Sequence, residues 1–98
     1  MPDGVGELAD GIAALVRATP GVAALHPGMY GEVGTYLPGR RVTGVRVTDD
    51  VVDVHVTVVA GAPLRATAAA VRAAVAASVP GRTVNVTVED IDVSAAAR

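Results

Sequence analysis

Apolar and polar residues alternate strictly along two stretches of this chain. Val52, Val54, Val56 and Val58 are separated by Asp53, His55 and Thr57; later, Val84, Val86 and Val88 are separated by Asn85 and Thr87, with Glu89 following. A period of two puts every valine of a run on one side of a strand. Each stretch therefore predicts a strand with one face for burial and one for water, the first over Val51–Val59 and the second over Thr83 to about Val93. In the second, Ile91 and Val93 carry the opposite parity to the valines before them, so a bulge or the end of pairing is expected at Glu89-Asp90.

The remaining elements follow from helical spacing and from breakers. Val5, Leu8, Ile12, Leu15 and Val16 form one stripe of a helix over Val5–Ala18, with Glu7 and Asp10 early and Arg17 late, the order a helix dipole favours. Thr19-Pro20-Gly21 stops it, and a short strand is expected at Val22–Leu25. His26 to Arg41 holds four glycines and two prolines and reads as a loop, with room for a brief strand at Glu32–Leu37. A hairpin follows: Val42–Val47, a turn at Thr48-Asp49-Asp50 suited by aspartates that bond the nearby backbone, then Val51–Val59. A second helix starts at Pro63 and runs to about Val79, burying Leu64, Val71, Val75 and Val79 with Ala68 between them, and ends at Pro80-Gly81. Pro-Gly after a helix occurs twice, which we read as shared stop chemistry rather than a repeat.

The chain of 98 residues is expected to form a single domain, with a core over 5–93 and a loose tail over 94–98. The fold class is α+β: a two-layer sandwich in the order α-β-β-β-α-β, with two helices on one face of a mixed sheet of three to five strands. The strand–helix–strand unit predicts a parallel pair joined by a right-handed crossover.

Composition narrows the chemistry. Hydrophobic residues make up 51% of the chain, yet there is no Phe or Trp and only Tyr30 and Tyr36, so the core must be aliphatic. Net charge is −2 and all eight basic residues are arginines, which argues against non-specific attraction to nucleic acid or an anionic membrane. Without cysteine, disulfides, thiol catalysis and thiolate metal sites are excluded. The start, Met1-Pro2-Asp3-Gly4, lacks the features of a secretion signal, and no apolar run reaches the ~18–20 residues that span a bilayer. A soluble, cytoplasmic protein is expected.

The residues offer little for catalysis. His26 and His55 have no third ligand at metal-binding spacing, so no metal or cofactor is expected. Asp49-Asp50 and Glu89-Asp90-Ile91-Asp92 sit at strand ends, where solvation outweighs acid–base use. Gly28-Met29-Tyr30-Gly31 matches the Gly-x-x-Gly loop that clamps nucleotides in K-homology domains, but it does not lie between two helices and its first arginine is Arg40. It leaves a small nucleic-acid-binding module as the alternative reading. A small-ligand enzyme would need a pocket these residues do not advertise.

Two surfaces remain as candidates for contact with a partner. The polar sheet face carries Arg46, Asp53, His55, Thr57, Asn85, Thr87 and Glu89. The second helix presents Arg65 and Arg72 among alanines at 66, 69, 70, 73, 76 and 77, small enough for close helix–helix approach.

The order of landmarks is itself informative. Pro20-Gly21-Val22-Ala23-Ala24-Leu25 leads to Thr35-Tyr36-Leu37-Pro38-Gly39-Arg40-Arg41-Val42, then Gly44-Val45-Arg46-Val47. The valine strand, Gly61-Ala62-Pro63-Leu64, a helix, and Val84-Asn85-Val86-Thr87-Val88-Glu89-Asp90-Ile91 complete it. Over about residues 8 to 93 this resembles the alkaline shock protein family of bacterial envelope stress response proteins, in particular its short actinobacterial members. The resemblance implies a non-enzymatic cytoplasmic scaffold or adaptor that associates with itself and docks on a small membrane-anchor protein, beneath the membrane and without inserting into it. It implies no catalytic residues.

Overall fold

The computed structural model describes residues 4–96. Its elements run α1 (Gly4–Ala18), β1 (Val22–Leu25), β2 (Gly34–Leu37), β3 (Arg40–Thr43), β4 (Val45–Val47), β5 (Val51–Val59), α2 (Leu64–Ser78), β6 (Thr83–Asp92) and a one-turn α3 (Val93–Ala96). The fold is α+β, as the alternation and helical stripes predict. The tail expected to be loose from Ser94 begins with α3, where the Ser94 amide and hydroxyl both donate to Asp92 Oδ1; residues 97 and 98 lie outside the described residues.

β5 is the axis of a four-stranded sheet. β6 pairs with it in parallel along one edge, while β1 and β4 share the other edge in antiparallel orientation. β4 covers Val52–Val54 and β1 covers Val56–Val58. The two short strands meet at His55, whose carbonyl accepts from the His26 amide (2.8 Å) and whose amide donates to the Gly44 carbonyl (2.9 Å). β2 and β3 form a separate hairpin around Pro38-Gly39.

The expected strand over Val42–Val47 is thus two strands, β3 and β4, broken at Gly44. Gly44 has φ +78°, and a Cβ there would sit 2.9 Å from the His26 carbonyl oxygen and 3.0 Å from that of His55. Only glycine allows this turn and this approach together. The turn at 48–50 also differs in its chemistry. Thr48, not an aspartate, stabilises it, its hydroxyl oxygen accepting from the Val51 amide at 3.0 Å.

The valine face behaves as the period requires. Val52, Val54, Val56 and Val58 are fully buried against Ile12 and Val16 of α1 and Val71 and Val75 of α2. Each such burial is worth about 1.5–3 kcal/mol. The slip at the end of β6 is a bulge: Val88 pairs with Val56 but Asp90 with Thr57, leaving Glu89 as the extra residue. The bulge returns Ile91 to register with Val58, on the apolar side.

The helices are rotated from their expected stripes. In α1 the buried residues are Gly6, Ala9, Ile12, Ala13 and Val16, whereas Val5 and Leu15 are exposed. Small side chains at the contact let α1 lie close to the sheet and α2, and the larger ones move to its flank. In α2, Thr67 takes the buried place expected for Leu64. Its Oγ1 would lie 2.7 Å from a Cβ at Gly21, so the bare backbone at the end of α1 makes its seat.

Arg40 ties the β2–β3 hairpin to α1, donating from Nη1 and Nη2 to the two carboxylate oxygens of Asp10 at 2.9 and 2.8 Å. These hydrogen bonds, aided by the charge of Arg40, hold the Asp10 carboxyl below its ordinary range. A lowered carboxyl stabilises the fold above its unfolded-state pKa and loses that contribution as pH falls through the folded value. In urea unfolding at a series of pH values, Asp10→Asn should therefore differ most from the wild type near neutrality and converge with it in acid. The same assay should show Gly44→Ala destabilised by about 2 kcal/mol or more. Gly11→Ala, on the exposed side of α1 with nothing within 4 Å, should instead be stabilised by about 0.5–1 kcal/mol.

Candidate functional site

The alternation that buries the valines sends Arg46, Asp53, His55, Thr57, Asn85, Thr87 and Glu89 to the opposite side of the sheet. Register arranges them in rows: Arg46, Asp53 and Asn85 are successive partners across β4, β5 and β6, and His55 lies beside Thr87. Arg65 and Arg72 belong to α2 in the other layer, so the nine residues form two separate surfaces rather than one.

Much of the polar face is satisfied internally. Asn85 Nδ2 donates to Asp53 Oδ1 at 3.1 Å, and Arg46 Nη2 donates to the Glu32 carbonyl at 2.9 Å. His55 Nδ1 lies 2.7 Å from Glu89 Oε2, with both side chains largely buried. The bulge makes this pair possible, because the extra residue in β6 lets Glu89 reach back across the sheet. Glu89 is thus a paired, half-buried carboxylate and not the solvated strand end expected from sequence. An imidazole beside a carboxylate can exchange a proton, but no serine or cysteine is bonded to it, and His55 lines none of the grooves described below. Among the described residues no three His, Cys, Asp or Glu side chains gather in a way that could hold a metal ion.

The grooves of the surface are open clefts. One, of about 370 Å³, lies between α1 and the hairpin and includes Asp10, Arg17, Arg40 and Arg41. Two of its three arginines have structural work: Arg40 holds Asp10, and Arg41 Nη2 donates to the carbonyls of Gly31 (2.6 Å) and Val33 (2.9 Å). A second, of about 330 Å³, runs between Pro20-Gly21 and Ala62, Ala66 and Ala70 of α2 and its approach. A third, of about 360 Å³, lies where Leu64 meets Val88, Glu89, Asp90 and Ile91.

Sequence reasoning passed over one surface. Met29, Tyr30 and Tyr36 are 75%, 87% and 67% exposed, so both aromatic side chains of the chain lie outside the core. Arg41 links them into one region, with its guanidinium 5.0 Å above the Tyr36 ring and its Nη2 bonded to the carbonyl of Gly31, next to Tyr30. Gly28 and Gly31, both at positive φ, turn the loop so that Met29 and Tyr30 stand at its tip. Exposed Tyr and Met side chains, here beside a half-buried arginine, are of the kinds enriched where proteins bind proteins. The signal was available in the sequence: an aliphatic core leaves no interior role for the only two aromatics, and both fall in the glycine-rich stretch.

Comparison with known proteins bears on the fold alone. No family model and no curated protein matches the chain. It is similar to a solved structure described as MamM CTD W247A, with a TM-score of 0.63, 16% identity, and 95% of this chain and 88% of that one covered. At that identity the likeness establishes a shared α+β architecture.

Because the His55–Glu89 pair is half-buried within one sheet, a double-mutant cycle with His55→Ala and Glu89→Ala should give a favourable coupling of about 0.2–1 kcal/mol in urea unfolding near pH 6. Zero coupling would show that the contact contributes nothing to the fold.

Proposed function

We propose that this chain is a non-enzymatic member of the alkaline shock protein family, a scaffold or adaptor of the envelope stress response. In this reading it self-associates and docks on a small membrane-anchored partner at the inner face of the cell membrane. The order of landmarks from Pro20 to Ile91 supports the family, and the α+β architecture is compatible with it. The observation that carries a binding role is the Met29–Tyr30–Tyr36 region. Burying a tyrosine contributes large apolar area while its hydroxyl keeps a polar partner, and this chain exposes both of its tyrosines while filling its core with valine and alanine. No helix among the described residues is long and apolar enough to cross a membrane, so membrane association in this reading comes through a partner.

The nucleic-acid alternative has less to support it. Gly28–Gly31 joins two strands rather than two helices, and the nearby Arg41 and Arg46 already donate to backbone carbonyls.

Sedimentation of the wild type over a wide concentration range should show reversible self-association. The double variant Tyr30→Ser/Tyr36→Ser should weaken it by about tenfold or more, equivalent to about 1.4 kcal/mol or more, with its thermal unfolding unchanged. A wild type that stays monomeric throughout, or a double variant that associates as strongly, removes the basis for a self-associating scaffold.

A further inference from the structure

We propose that the Met29–Tyr30 loop tip of one copy inserts Tyr30 into the cleft over Thr67 of a second copy, so that the chain associates with itself head to tail. The proposal rests on the self-association above and names both sides of the contact.

The projecting side is built to be rigid. The Gly31 amide donates to the Gly28 carbonyl (3.1 Å), closing a turn with Met29 and Tyr30 at its two central positions. The Tyr30 amide donates to Glu32 Oε2 (3.1 Å), and the Val33 amide donates to the Pro27 carbonyl (2.8 Å). Arg41 and Arg46 hold the rest of the loop through the carbonyls of Gly31, Val33 and Glu32. All of this bonding fixes the backbone beneath a tyrosine that is 87% exposed. An aromatic side chain on fixed backbone loses little freedom when it binds.

The receiving side is the cleft of about 330 Å³ between the end of α1 and α2. Its walls include Pro20, Gly21, Pro63, Ala66 and Ala70, and no ionisable group lines it. Thr67 also lines it, is only 4% exposed, and its hydroxyl makes no hydrogen bond with any described residue. A buried hydroxyl without a partner is costly to the fold. This one is not walled off. A Cβ at position 21 would stand 2.7 Å from Thr67 Oγ1, and glycine, at φ +93°, leaves that space empty.

The two sides match in chemistry. Tyrosine is an apolar ring that ends in one hydroxyl able to donate and accept. The cleft offers apolar walls and one unpaired hydroxyl. Among the large exposed hydrophobic side chains of the described residues, only Tyr30 and Tyr36 carry a hydroxyl, and Tyr36 already lies under the Arg41 guanidinium. A valine, leucine or methionine in the cleft would leave Thr67 unpaired.

Tyr30 does not line the cleft of its own copy. The cleft lies where the Gly21 carbonyl accepts from the Val59 amide at the end of β5, whereas the loop leaves the sheet at His26, beside His55. Tip and cleft are therefore different patches, and their contact is heterologous: each copy offers one of each, and the assembly grows until a ring closes.

The test is sedimentation of full-chain variants, alone and mixed. Ala66→Trp fills the cleft from an exposed helix position. It should weaken association at least about tenfold with the melting temperature unchanged, as should Tyr30→Ser. Mixed in equal amounts, these two variants should recover the wild-type affinity in a complex that stops at two chains, because one intact tip and one intact cleft remain to meet. Thr67→Val removes the hydroxyl and keeps the branching at Cβ. It should weaken association about threefold to tenfold while melting no lower than the wild type, since no bond of the fold is lost. Tyr30→Phe should show the same loss, and the two together no more than either alone. Where Ala66→Trp lowers the melting temperature, the cycle of Thr67→Val and Tyr30→Phe decides. A wild type that is monomeric at every concentration removes the self-association reading and this contact with it. A wild type that associates through Tyr30 but is indifferent to Ala66→Trp and Thr67→Val keeps that reading and overturns the contact. So would mixed variants that fail to rescue each other, which would assign the tyrosine region to a symmetric contact with itself.

Discussion

Hydrogen bonding of β5 on both of its edges is the constraint from which the rest of the structure follows. A strand paired on both sides must have both its faces assigned, one to apolar packing and one to water, and its four valines make that choice. A parallel neighbour cannot be reached by a tight turn, so the chain between β5 and β6 crosses over as α2, which lands on the valine face. The other edge is too long for either β1 or β4 alone. They share it, and the backbone of His55 is satisfied by one strand's end on its carbonyl and the other's on its amide. Gly44 is needed because two chain segments converge on that single residue.

The surfaces are what this arrangement leaves over, and they are not equivalent. The polar side of the sheet is rich in functional groups, but many of them have partners: Asn85 with Asp53, His55 with Glu89, Arg46 with Glu32. Exchanging those hydrogen bonds for others across an interface gains little net free energy. The tyrosine region and the cleft over Thr67 differ because they present apolar area, or a hydroxyl, with less satisfaction inside the molecule. A binding protein with an aliphatic core keeps its recognition chemistry where the core does not compete for it.

Much of this was legible before any tertiary information. The strict period of two over Val52–Val58 and Val84–Val88 identified both long strands, and the parity slip at Glu89-Asp90 located the bulge. Helix ends followed Pro20-Gly21 and Pro80-Gly81 closely. The helix stripes were less legible, because hydrophobicity ranks Leu15 and Leu64 above Ala9, Ala13 and Thr67, whereas close packing ranks by size and fit. Nor could the pattern show that β3 and β4 are separate, since Val42, Val45 and Val47 are apolar on either reading. Among candidate site residues, the sheet members share one face, and the pairing of Asn85 with Asp53 and of His55 with Glu89 depended on contacts between residues some thirty positions apart.

Local periodicity and breaker chemistry by themselves determined the α+β class, the order of the two long helices and two long strands, and the side of each long strand that is buried. These properties are set within one element by backbone geometry. Only the tertiary structure decided which edge of β6 stays open, that Glu89 meets His55, that Arg41 gathers the tyrosine region, and that Arg65 and Arg72 lie on a different layer from the polar sheet face. Each of those depends on how elements distant in sequence approach one another, and close approach is governed by side-chain size and backbone turns that a one-dimensional pattern does not encode.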